Sequence, residues 1–347
     1  MSSTKPLVFV TGASGFLGYA IVYQLLEAGF PVRGSARGKK VELLKKALSA
    51  YPKFEAVEIA DVASGDYSEI FKGVGAIIHT AAPLPGQTDK ETAFRTAIDG
   101  SLHTLEEAVK AGITKIVTTS SIATYNLPEG PFMLDSFSSL TKEEAFASDS
   151  PVLIYRVEKK YADLAVLDFA KSHPHMDITL LCPPYIYGPF TPGFEHLMPE
   201  PGTQSFSTNA HLYTLITNND YNISASLPGY IDLRDIARAH VLAVESNSQS
   251  SDQPKRLAIG SPHNNNFEDA LKYIAEERSE LKDRLIKAEK APNQTGGSPL
   301  ESIEYERLER VIGFKKGEFR SWKETILDTV DGFVKLEESW KSRGFKL

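Results

Sequence analysis

A chain of 347 residues, 41% of them hydrophobic, is long enough to bury one large core or two closely joined lobes. Its 38 basic and 45 acidic residues leave a formal charge of −7, which argues against nucleic acid or an anionic membrane as the main partner. Cys182 is the only cysteine, so the chain can form neither an internal disulfide nor a multi-thiolate metal site.

Elements follow one another in a regular alternation. An apolar strand over 7–10 runs into Thr11-Gly12-Ala13-Ser14-Gly15-Phe16-Leu17-Gly18 and then into a helix from residue 19 to 28. Strand, spaced glycines and helix in that order predict a dinucleotide-binding loop. Gly12 permits the tight turn, Gly15 lets backbone approach a pyrophosphate, and Gly18 lets the helix sit close to the sheet. The helix N-terminus then offers free N–H groups to the phosphates. Further strands are predicted over 32–36, 55–59, 76–79, 115–119, 177–182 and 256–259, with helices over 41–49, 88–111, 151–172 and 231–246. Alternation of this kind implies a doubly wound, parallel α/β sheet of about seven strands.

Past Cys182 the pattern breaks. Six prolines between 183 and 201 make that stretch too irregular for another strand–helix unit, so a second, smaller lobe is expected to begin there. Residues 1–183 and 229–262 are assigned to the dinucleotide-binding domain, and 184–228 and 263–347 to a substrate-binding lobe. Residues 246–255 and 292–299 read as surface loops. Met1 to Pro6 has no cleavable apolar segment and no stretch reaches membrane-spanning length, so a cytoplasmic protein without membrane association is expected.

Chemistry concentrates in the middle of the chain. Of the fourteen tyrosines only Tyr155 has a lysine four residues later, Lys159, and on a helix that spacing places phenol and ammonium on one face. A nearby cation is expected to draw a tyrosine pKa down from about 10 toward neutrality, which makes the hydroxyl a proton donor to a carbonyl. Strand 115–119 ends in Thr119-Ser120-Ser121 at the carboxyl edge of the sheet, where such folds hold their ligands, so Ser121 is placed to hydrogen-bond a substrate oxygen. The second strand carries no acid from 31 to 40; Ser35, Arg37, Lys39 and Lys40 gather there instead. A guanidinium matches a ribose 2′-phosphate, so NADPH is the expected cofactor rather than NADH. His173 and His175 flank Pro174 in a turn without an acidic partner set, and no metal site is expected.

The loop TGASGFLG, the strand end TTSSIA, the pair Tyr155/Lys159 and the later PPYIYGP resemble the extended short-chain dehydrogenase/reductase family. The finer pattern VRGSAR, HTAAPL, SSIATYN and GYIDLRDIARAH is similar to the branch holding dihydroflavonol 4-reductase, cinnamoyl-CoA reductase and the fungal aldehyde and ketone reductases. The likeness covers nearly the whole chain and implies a Rossmann-type fold. It also implies that Ser121 polarises the substrate carbonyl and Tyr155 donates the proton, while Lys159 lowers its pKa and holds the nicotinamide ribose. By the same resemblance Gly12, Gly15, Phe16 and Leu17 surround the pyrophosphate, Asp61 and Val62 meet the adenine, Thr80, Ala81 and Ala82 lie beneath the cofactor, and Pro183 and Tyr185 flank the nicotinamide. Pro83, Leu84, Tyr125, Asn126 and Phe190 are expected to line the substrate pocket.

Three residues depart from the family pattern: Glu158 where a small residue commonly precedes the lysine, Arg156 after the tyrosine, and Asp99 where relatives often carry asparagine. The expected function is NADPH-dependent reduction of small-molecule aldehydes or ketones by a monomer or homodimer. Two alternatives are a nucleotide-sugar epimerase or dehydratase and a dinucleotide-sensing regulator without turnover.

Overall fold

The computed structural model describes residues 5–82, 88–127, 130–217, 228–246, 254–291 and 300–346. In chain order the elements of the first half are β1 (Leu7–Thr11), α1 (Phe16–Glu27), β2 (Val32–Ala36), α2 (Lys40–Ala47), β3 (Phe54–Glu58), β4 (Val74–His79), α3 (Lys90–Lys110), β5 (Lys115–Thr119), α4 (Lys142–Ala147), α5 (Pro151–Ser172) and β6 (Asp177–Cys182). They are followed by β7 (Tyr185–Tyr187), α6 (Asn209–Thr214), β8 (Tyr230–Asp232), α7 (Leu233–Glu245), β9 (Lys255–Ala258), α8 (Phe267–Glu277), α9 (Tyr305–Ile312) and α10 (Trp322–Ser342).

Seven strands pair in parallel in the order β3-β2-β1-β4-β5-β6-β9. Strands covered by helices on both faces need unbroken apolar runs, and Val8-Phe9-Val10 and Ile116-Val117 are fully buried accordingly. The order runs outward from β1 in both directions, so the chain reverses at the β1/β4 boundary and opens a crevice at the carboxyl ends of those strands. Gly12 stands at that crevice, at φ +67°.

Helix starts are encoded locally. Asp89 accepts the Thr92 amide at 2.8 Å to cap α3, and Ser150 caps α5 ahead of Pro151 in its first turn. The capping side chains set where α3 and α5 begin, and their first turns face each other across the sheet edge.

All seven expected strands are present, within two residues of their expected ends. The stretch after Cys182 differs. Tyr185–Tyr187 pairs in parallel with Tyr230–Asp232 as a separate two-stranded sheet, with Tyr185 opposite Tyr230. That pairing also corrects the expected helix over 231–246: Ile231 is strand, and Asp232 caps α7 by accepting the Arg234 amide at 2.8 Å. Three-residue strands joined across more than forty residues leave no periodicity for a sequence to display.

One apolar cluster extends from Val8 through α1 and the aromatic residues Phe194, Phe206 and Phe333 to Trp340, so α10 packs into the same core as the glycine loop's helix. No helix among the described residues is long and apolar enough to cross a membrane.

A Cβ at Gly18 would fall well inside van der Waals contact of the Gly12 carbonyl. Gly18→Ala is therefore expected to lower stability by about 1–3 kcal/mol, as overpacking against backbone does. Gly317→Ala, where a Cβ meets nothing within 4 Å, should change stability by less than about 0.5 kcal/mol. Thermal unfolding of both variants checks the contrast; equal shifts would count against close helix–loop packing.

Candidate active site

β5 delivers two serines to the crevice, and the fold gives them opposite tasks. Ser120 donates its hydroxyl to Asp163 Oδ2 at 2.7 Å and is buried beneath the site. Ser121 faces the other way: its Oγ accepts the Ala123 amide at 3.2 Å, and its hydroxyl lies close enough to Tyr155 to draw the phenol's pKa down. Ser121, the serine expected to meet the substrate, is thus the one of the two that is not committed to Asp163.

Tyr155, Lys159 and Asp163 succeed one another at four-residue intervals along one face of α5. Burial pushes the Tyr155 phenol up to about 12; the Ser121 hydroxyl draws it back, while Glu158, Asp163 and Tyr185 push it further. Lys159 is not among the strongest influences on it. The Lys159 ammonium donates instead to the Thr119 carbonyl at 2.9 Å. The expectation that this lysine draws the phenol toward neutrality is therefore corrected for this arrangement: desolvation outweighs it, and the phenol keeps its proton. Burial also lowers Lys159 itself, against the carboxylates of Asp163 and Glu158. His79, held at about 3 by burial and by Lys159's charge, stays neutral and shares a 3.1 Å hydrogen bond with Thr11 Oγ1.

Most of the residues expected to hold the cofactor lie at or just beyond the carboxyl ends of β1, β2, β3, β4 and β6. Gly15 ends the loop as the residue preceding α1, with no side chain capping the helix and no acid in its first turn, so the N–H groups there are left for an anion. Phe16 is buried and Leu17 half-buried on that first turn. Thr11 ties the loop to the end of β4, its Oγ1 accepting the amides of Thr80 and Ala81 at 3.0 and 3.1 Å and its carbonyl accepting the Thr80 hydroxyl at 2.6 Å. A Cβ at Gly12 would press on these same residues, which shows how closely the two loops approach. Ala82 is exposed just beyond. The glycine cradle and the free helix end fit a dinucleotide pyrophosphate.

Ser35 is buried at the end of β2 and accepts the Ala13 amide on its carbonyl at 3.0 Å, while Arg37 is exposed just past it. Partial burial and then Arg37's charge hold Lys40 below the ordinary lysine value. One acid does reach this turn: Glu58, opposite Ala36 in the β2–β3 register, accepts the Gly38 amide on Oε1 at 3.0 Å. A search for an acid along the second strand alone could not find it. Asp61 pairs with Arg95 at 3.1 Å and accepts the Ala63 amide at 2.9 Å, so its carboxyl is held below the usual range. Val62 packs against Gly100, where a Cβ would collide with it. Pro183 is buried with its carbonyl accepting the Ile122 amide at 3.0 Å, and half-buried Tyr185 lies close enough to influence Tyr155.

The expected substrate residues are distributed less simply. Pro83 and Leu84 lie outside the described residues. Tyr125 is fully buried, its hydroxyl 3.8 Å from Cys182 Sγ and the Arg256 guanidinium 3.8 Å from its ring centroid. It belongs to the core under the site rather than to a pocket wall. Asn126 is exposed and spends its side-chain oxygen on the Ser139 amide at 3.1 Å, which closes a loop. Phe190 stacks among Phe16, Phe194, Phe206 and Phe333 and buttresses the start of α1. Arg156 turns back onto the carbonyls of Ala123 and Tyr125 at 3.4 Å, and Asp99 is exposed on α3.

A cleft of about 410 Å³ opens beside the phenol, between the first turns of α3 and α5, bounded by residues 88–91, Asp149, Tyr155 and Glu158. The family model described as the NAD dependent epimerase/dehydratase family matches residues 8–260. The chain belongs to that family. Within it, a putative uncharacterized oxidoreductase of Schizosaccharomyces pombe is 33% identical over 71% of this chain and 75% of its own. The NADPH-dependent methylglyoxal reductase of Saccharomyces cerevisiae is 27% identical over 95% of this chain and 98% of its own. The solved structure of the yeast methylglyoxal/isovaleraldehyde reductase complexed with NADPH superposes with a TM-score of 0.76 at 26% identity, covering 96% of this chain and 99% of that one. The chain shares its overall fold with that reductase structure.

Burial raises the Glu158 carboxyl to about 7, with Lys159 opposing, from an ordinary 4.5. The unfolded chain loses this proton first as pH rises, so folding is disfavoured progressively between those two values and fully above the upper one. Glu158→Gln removes the effect. The variant's melting temperature relative to the parent should therefore be higher near pH 8 than near pH 4.5; a difference independent of pH would show that Glu158 titrates like an exposed carboxyl.

Proposed function

We propose that this chain is an NADPH-dependent reductase that converts aldehyde or ketone carbonyls to alcohols. The observation that carries this reading is the convergence of Ser121 and Tyr155 at the carboxyl edge of the sheet, one helical turn from Lys159. When bound, NADPH supplies the hydride. Ser121 holds and polarises the carbonyl oxygen, and Tyr155 gives that oxygen its phenolic proton. A phenol at about 12 still protonates an alkoxide readily, because alkoxide is far the stronger base, and its high value keeps the proton in place until then. Lys159 presents a buried positive charge beside the reacting groups, steadied by the Thr119 carbonyl.

Gly12, Gly15, Phe16 and Leu17, with the free amides of α1, take the pyrophosphate, and Gly18 keeps the helix close to them. Ser35 and Arg37 take the 2′-phosphate, Asp61 and Val62 the adenine side, Thr80, Ala81 and Ala82 the floor of the groove, and Pro183 and Tyr185 the nicotinamide. The yeast relative's name and its NADPH complex support the same cofactor and reaction type. Reduction is favoured over epimerisation or dehydration because a relative that is 27% identical over 95% of this chain is named a reductase.

Arg37→Ala should weaken NADPH binding by about tenfold or more, the loss of a charged hydrogen bond, while sparing NADH. Fluorescence titration with both cofactors decides it, and equal losses would place the 2′-phosphate elsewhere. Tyr155→Phe should lower kcat by about two to four orders of magnitude with little change in NADPH affinity. Retention of near-normal turnover by the phenylalanine variant would require a different proton donor.

A further inference from the structure

Glu158 is unusual in its place. It sits on α5 between Tyr155 and Lys159, is only 2% exposed, and has no hydrogen-bond partner among the described residues. A buried polar group ordinarily finds a partner, since leaving one unpaired costs folding free energy. Yet its carboxyl borders the cleft that Tyr155 also borders.

The cations nearby are otherwise engaged. Lys159 donates to the Thr119 carbonyl at 2.9 Å. Lys90, on the opposite wall, donates to the Phe146 carbonyl at 3.0 Å and faces Asp149 at 3.6 Å. The remaining charged groups on that wall are Asp89, which caps α3, and Glu91. Four acidic residues and one committed lysine therefore border the cleft that Tyr155 also borders.

We propose that Glu158 receives an ammonium group of the substrate, so that the cleft takes amino ketones or amino aldehydes and turns away carbonyl compounds that carry a carboxylate. This rests on the reductase reading. A hydroxyl would give Glu158 one hydrogen bond; an ammonium gives the bond and also offsets the charge of the acidic wall, which is why the cation is favoured. Tyr155 and Glu158 stand three residues apart on one helix, about 5–6 Å between Cβ atoms. That separation suits an amine one or two carbons from the reacting carbonyl.

The test uses the full chain with NADPH and three ketones of similar length: 4-aminobutan-2-one, pentan-2-one and acetoacetate, near pH 7.5. For the parent protein kcat/KM should rank ammonium over neutral over carboxylate, with the first step about tenfold, the size of a charged hydrogen bond. In Glu158→Gln the ammonium-to-neutral ratio should fall close to one. Glu158→Asp, which keeps the charge but withdraws it by one methylene, should keep part of the ratio and serves if the glutamine variant does not fold. An unchanged ratio in both variants, or a parent preference for acetoacetate, overturns the proposal. Failure of every ketone to consume NADPH would instead overturn the reductase reading. In that event calorimetric binding of 4-aminobutan-2-one to the NADP⁺-saturated protein still decides the role of Glu158: tighter binding to the parent supports it, and equal affinity for parent and Glu158→Gln sinks it.

Discussion

A single buried carboxylate holds the reacting groups in register. Asp163 on α5 accepts Ser120 from β5 at 2.7 Å and Arg256 from β9 at 3.1 Å, and its charge reaches Lys159 one turn away. Burial pushes the Asp163 carboxyl up, and Arg256, Lys159 and Ser120 each draw it back. Removing Arg256, the charged group that bonds the carboxyl directly, would leave the Asp163 charge poorly compensated in the interior, which is strongly unfavourable. Helix and strand ends are therefore fixed relative to each other before any ligand arrives.

Arg256 extends that anchor to the segment that follows Ser121. Its guanidinium donates to the carbonyls of Met133, Leu134 and Ser136 and to Thr124 Oγ1, and lies 3.8 and 3.9 Å from the ring centroids of Tyr125 and Phe137. Five donors in a planar fork satisfy carbonyls that no strand or helix satisfies. The described residues of this segment are in this way tied to β9, and Tyr125 is drawn into the core as part of the stack. The same strand set is tied at its opposite end, where Asp177 on β6 joins Lys115 on β5 and Lys255 on β9 at 2.6 and 2.7 Å.

Above this frame the electrostatics are governed by burial more than by pairing. Tyr155 rises and His79 and Lys159 fall, each chiefly because the charged form loses water. The protein thereby keeps a protonated phenol and a neutral imidazole around one positive charge, a distribution suited to giving up a proton to a developing oxyanion. Glu158 follows the same rule, and it borders the cleft that Tyr155 also borders.

Much of this architecture is legible in the sequence. Apolar runs such as Val8-Phe9-Val10 and Ile116-Val117 mark the central, doubly covered strands; the glycine spacing after β1 and the Tyr155/Lys159 interval carry local chemistry that neighbouring residues alone define. The interval from Lys159 to Asp163 was equally visible and repeats the same helical face, yet nothing local says that the carboxyl is buried. What the tertiary structure alone decided depends on contacts between residues far apart in the chain: the outward strand order that opens the crevice at β1/β4, the pairing of β7 with β8, Ser120 turned inward and Ser121 outward, Glu58 brought to the Arg37 turn, and Lys159 bound to a carbonyl while burial sets the Tyr155 phenol. Desolvation is a property of everything packed around a group, so a pKa can be read only when the whole fold is in place.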